Sequence, residues 1–83
     1  MDEVIEQVAN VFGIDAVGLL HGGKEQHLAD ARGAICYIAI RKFGYHGVEV
    51  SKSLGLSRSG VVLAARRGEA IYESMASLRE IAE

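Results

Sequence analysis

Apolar residues recur at intervals of three and four along nearly the whole chain, and nowhere do they settle into alternation with polar ones. That spacing lines one face of a helix and offers no segment that a half-buried strand could use. No proline interrupts it. The expected fold class is all-α, and the punctuation between periodic segments divides the chain into about five helices. Asp2 to Phe12 sets Val4, Ile5, Val8, Val11 and Phe12 on one face, with acids in the first turn, where the helix dipole favours them, and Gly13 just beyond. Asp15 can cap a short helical turn, Ala16 to Leu20, whose Val17, Leu19 and Leu20 are expected in the core. The polar stretch His21 to Gln26 reads as a loop. A third helix is predicted from about Leu28 to Phe43, with Leu28, Ala31, Ile35, Ile38 and Ala39 inward and Gly44 placed to end it. Gly47 to Leu54 forms a fourth, presenting Val50 and Leu54. A final helix starts at Arg58 and is predicted to run almost to the end on the spacing Val61, Ala64, Gly68, Ile71, Met75, Leu78 and Ala82.

Eighty-three residues support one hydrophobic core, so residues 1–83 are expected to form a single domain, too small for a large active site. An apolar share of 49% against 24% charged places the chain among folding rather than disordered sequences. The single Cys36 excludes an intramolecular disulfide, and its spacing with His21, His27 and His46 fits no zinc pattern; a buried thiol and solvated imidazoles are the expectation. Gly22-Gly23-Lys24 lacks the first glycine and the preceding strand of a phosphate-binding loop. No nucleophile–base–acid set stands out, because Ser51, Ser53, Ser57 and Ser59 are explained by capping and phosphate contact. Tyr37, Tyr45 and Tyr72 are too scattered to stack successive bases of a single strand. The chain is therefore expected to be no enzyme and to need no cofactor or metal. No apolar run reaches the roughly 18 residues of a membrane span, and Met1-Asp2-Glu3 is no start for a secretory signal, so a cytoplasmic protein without a membrane partner is expected.

Charge gives the first pointer to function. The formal net charge is −2, but from Ala31 to Gly68 seven basic residues (Arg32, Arg41, Lys42, Lys52, Arg58, Arg66 and Arg67) face the single Glu49, a local net of +6. The remainder, with Lys24 and Arg79 against ten acids, carries −8. A basic centre between acidic ends suits a DNA-facing surface on an otherwise non-sticky domain. The segment from Val48 to Arg67 has the layout of a helix-turn-helix: a helix ended by a left-handed glycine, an apolar residue plugging the turn, then a capped second helix. Gly55, Leu56 and Ser57 occupy those three places in order. Val50, Leu54, Val61 and Ala64 would share a small core, leaving Ser57, Arg58, Ser59 and Val62 outward on the leading end of the second helix. That end favours phosphate, and an arginine there can address a guanine edge with two hydrogen bonds. Gly60 lowers helix propensity and would allow the backbone a close approach to DNA. Arg66 and Arg67, two turns on, are expected nearer a phosphate backbone. The different class of function is a helical protein-interaction or dimerisation module, for which the acidic, heptad-spaced stretch Glu69 to Glu83 speaks; its Ile71, Met75 and Leu78 are expected to pack on the first helix, with a homodimer interface as the alternative.

The stretch from Ala31 to Gly68, and more loosely the chain from Val4 onward, resembles the C-terminal DNA-binding domain of the bacterial replication initiator DnaA, of Trp-repressor-like fold. A long helix such as Ala31 to Phe43 precedes the helix-turn-helix in that family, and a short helix and basic loop stand before it, as Ala16 to Lys24 would here. Where the family reads Asp-His-Thr-Thr-Val, this chain has Ser57, Arg58, Ser59, Gly60 and Val61. Cys36-Tyr-Ile-Ala-Ile-Arg41, Leu54-Gly-Leu-Ser57 and Ala65-Arg-Arg-Gly-Glu69 are closer to the related domain at the tail of REP-associated tyrosine transposases. The resemblance implies sequence-specific binding of double-stranded DNA, as the DNA-binding module of a transposase-like or initiator-like protein whose catalytic domain would be the covalent partner. It implies a contact from Lys24 in the basic loop; Arg32 and Lys52 of the basic segment, with Ser57, Arg58, Ser59, Gly60, Arg66 and Arg67 of the helix-turn-helix, complete the expected DNA contacts.

Overall fold

The computed structural model describes residues 1–20 and 26–82. Among these residues there are six helices and no strand: α1 (Asp2–Phe12), α2 (Ala16–Leu20), α3 (Gln26–Tyr37, continued by a wider π-type turn over Ile38–Lys42), α4 (Gly47–Leu54), α5 (Arg58–Ser74) and α6 (Ala76–Ala82). The loop expected at His21 to Gln26, with Lys24, lies outside the described residues except for Gln26, which opens α3.

The core follows the helical periodicity. Val4, Ile5 and Val8 of α1, Leu19 of α2, Ala31, Ile35, Ile38 and Ala39 of α3, Val50 and Leu54 of α4, and Val61 and Tyr72 of α5 are all buried. No polar or charged side chain is buried among the described residues, so the interior carries no desolvated charge to compensate. Cys36 is fully buried there, and burial pushes its thiol up to about 11 against the opposing influence of Arg32. Val17, expected inside, is instead 59% exposed: one turn and a half of helix buries a single stripe, and Leu19 occupies it.

The frame is set by α3 and α5, which meet backbone to backbone at Gly33 and Gly68. A Cβ at Gly33 would come within 2.9 Å of the Ala64 carbonyl oxygen, and one at Gly68 would fall on the Gly33 carbonyl. Only glycine permits that approach. Beyond it, the rings of Tyr37 and Tyr72 pack with centroids 5.1 Å apart, and the Lys42 ammonium lies 5.1 Å from the centre of the Tyr72 ring.

The last helix does not run unbroken to the end. Met75 takes an extended conformation (φ −121°, ψ 108°), so the heptad-spaced stretch becomes α5 and α6. The freed carbonyls at the break find side-chain partners: the Ser74 hydroxyl donates to Ile71 O at 2.9 Å, and Arg79 donates to Glu73 O at 2.7 Å. The bend carries Leu78 into the core, where it is fully buried, and sets α6 against α1. Of the seam expected to lie on the first helix, the α6 part with Leu78 does so, reached through a turn that heptad spacing does not reveal, while Ile71 and Met75 are partly buried against the core.

Candidate nucleic-acid interface

The connection between α4 and α5 is built from local hydrogen bonds. Gly55 takes φ 67°, ψ 30°, and its N–H together with that of Leu56 donates to the Ser51 carbonyl, the latter at 3.1 Å. The Ser51 hydroxyl donates in turn to Leu56 O, closing the turn from both sides. Leu56 leans on the core from the turn, and Ser57 then caps α5, its hydroxyl accepting from the Gly60 N–H at 3.0 Å. At the other end of α4, His46 precedes the helix and its backbone N–H donates to the Glu49 carboxylate at 3.4 Å. Buried Val50, Leu54 and Val61 join the two helices, with Ala64 half-buried beside them.

This arrangement turns the first half of α5 outward. Arg58, Ser59, Val62, Leu63, Arg66 and Arg67 are exposed, with Val62 53% and Leu63 64% accessible. Two grooves run along α5, one on each side of the Val62–Leu63 ridge. The first, about 340 Å³, is floored by Leu56, Gly60 and Ala64 and edged by Arg32, Leu63 and Arg67. The second, about 310 Å³, lies against Tyr37 and Ile40 and is edged by Arg41, Val62, Arg66 and Glu69.

The expected contact residues therefore fall into groups. Ser57 is exposed at the cap of α5 and Arg58, Ser59 and Arg66 on its exposed part, and Arg58 and Arg66 have no carboxylate partner among the described residues. Gly60 lies in the first groove rather than on the ridge, and a Cβ there would come within 3.1 Å of the capping Ser57 oxygen. Arg67 shares that groove but is drawn to α3, its Nε 3.4 Å from Asp30 Oδ1. Arg32 is half-buried and reaches Leu19 O at 3.5 Å, so its guanidinium also ties α3 to the end of α2. Lys52 is exposed on the face of α4 opposite Val50 and lines neither groove. Lys24 lies outside the described residues.

Two members of this surface were not picked out from the sequence as contact residues, Arg41 and Leu63. Arg41 lines the second groove with Arg66 and sits in the π-type turn at the end of α3, where Phe43 N–H is bonded five residues back to Ile38 O at 3.1 Å. No 3.6-residue pattern signals such a turn. Leu63 could have been found by placing α5 on a helical wheel, where it lies opposite the Val61–Gly68–Tyr72 stripe. Among the described residues His27 is exposed and bonds Phe12 O at 2.8 Å, and no group of three or more metal-ligating side chains occurs there. Among the same residues no helix is long and apolar enough to cross a membrane. The chain matches no protein-family model, no curated protein and no solved structure.

Proposed function

We propose that this chain is a double-stranded DNA-binding module of the helix-turn-helix type, with α4 as the first helix, Gly55-Leu56-Ser57 as the turn and α5 as the recognition helix. The observation that carries it is the leading half of α5: a capped helix start, projected from the domain by a left-handed glycine turn, whose exposed side chains include Arg58, Ser59 and Arg66 with no acidic partner on the two arginines among the described residues. Helix N–H groups and arginines of this kind hold phosphates, and an arginine at the leading end can address guanine O6 and N7. The resemblance of Ala31 to Gly68 to DnaA-type and transposase-tail domains points the same way and suits the DNA-binding piece of a larger initiator-like or transposase-like protein. The module itself performs no catalysis.

Titrating the full chain against labelled random-sequence duplex at a series of salt concentrations tests this. Neutralisation of about four to six phosphates gives a log–log slope on the order of −4 to −5. No binding at low salt, or a slope near zero, would remove DNA binding and leave a helical protein-interaction module.

A further inference from the structure

We infer that Val62 and Leu63 read thymine methyl groups in the major groove, an assignment that rests on DNA binding through α5 as proposed above. Both side chains stand more than half exposed, one turn after Ser59 and one turn before Arg66, in the most basic part of the chain. A β-branched valine on the exposed face of a helix gives up helix propensity, and nothing in the described fold covers either residue.

The surroundings decide what could cover them. Leu63 edges the groove that also holds Arg32 and Arg67, and Val62 edges the groove that holds Arg41 and Arg66. Each groove has a carboxylate as well, Asp30 on Arg67 in one case and Glu69 in the other, so arginine outnumbers acid on both sides. An apolar ridge between two basic flanks matches a major groove: phosphates border it on either side, and base edges lie between them. The apolar group that those edges present is the C5 methyl of thymine. A protein partner is a poorer match, since a stable interface covers roughly 800 Å² per partner around a centre depleted of charge.

The test uses the full chain, a duplex enriched by it from a random pool, and a copy of that duplex synthesised with deoxyuridine for every thymine. Deoxyuridine keeps the hydrogen-bonding edges and removes only the methyl. The wild-type chain should bind the uracil copy about fourfold more weakly for each methyl buried. The double variant Val62→Ala, Leu63→Ala should bind the two copies equally, with the helical signal and the salt slope of the wild type, because both side chains are exposed in the free domain. Equal wild-type affinity for the two copies, an enriched site without thymine, or a double variant that still discriminates would overturn the assignment while salt-dependent DNA binding stands. Absence of binding to any duplex at low salt would overturn DNA binding and this assignment together.

Discussion

Single residues hold the positions on which this fold turns. Gly68 meets the Gly33 carbonyl so closely that any side chain must force α3 and α5 apart. Gly68→Ala is expected to cost more than about 3 kcal/mol, beyond ordinary overpacking, because backbone rather than a flexible side chain would have to yield; denaturant titration reads this as a collapsed midpoint or an unfolded chain. Gly55 is a different case. A Cβ there meets nothing within 4 Å, so the cost of Gly55→Val is torsional alone, roughly 1 to 2 kcal/mol for a β-branched residue at φ 67°. An unchanged midpoint would show that the turn does not need its left-handed residue. At Gly60 the gain in helix propensity of about 1 kcal/mol on substitution by alanine is opposed by crowding of the Ser57 cap, so little net change in stability follows. Cys36 gives a pH prediction. Its folded thiol titrates near 11 rather than at the ordinary 9.0, so the folded state keeps a proton that the unfolded chain loses. The resulting stability is complete below about pH 9 and is lost as pH rises through 11, in all about 2 to 3 kcal/mol. Cys36→Ala should lower stability at neutral pH by leaving a small void, yet flatten this alkaline fall; an equally steep fall in the variant would refute the assignment.

At the scale of elements, the α4–α5 pair divides labour along one helix. Arg58 stands in the first turn of α5, and Arg66 lies eight residues further, on the order of 12 Å along the axis. Arg58→Ala should weaken the preferred site by about 1 to 3 kcal/mol and relax preference at one or two base pairs, whereas Arg66→Ala should weaken all sequences alike and lower the salt slope by about one. Fluorescence anisotropy on enriched and scrambled duplexes distinguishes the two, and a reversed pattern would mean that α5 enters the groove in another orientation. Arg67 differs from Arg66 because Asp30 already occupies it; an exposed pair of this kind is worth at most about 1 kcal/mol and can be exchanged for phosphate.

Across the whole molecule, the ends of the chain close the core that the middle opens. Leu78 on α6 is fully buried, and α6 lies against α1. Leu78→Ala should therefore cost about 2 to 4 kcal/mol, with a midpoint independent of protein concentration because the seam is satisfied within one chain. A concentration-dependent midpoint would instead place this seam in a dimer. The sequence by itself determined the helical class, the extents of α1 and α4, the start of α5 and the turn at Gly55-Leu56-Ser57. Those features rest on spacing, caps and backbone freedom, all local within a few residues. Tertiary structure alone decided the contact of Gly33 with Gly68, thirty-five positions apart, and the break at Met75, where burying Leu78 outweighs continuing a helix that the local pattern favours. It also decided the pairing of Arg67 with Asp30, the joining of Arg41 to the groove that Arg66 lines, and the exposure of Val17. Such outcomes depend on which backbone segments meet, and periodicity along one chain carries no record of that.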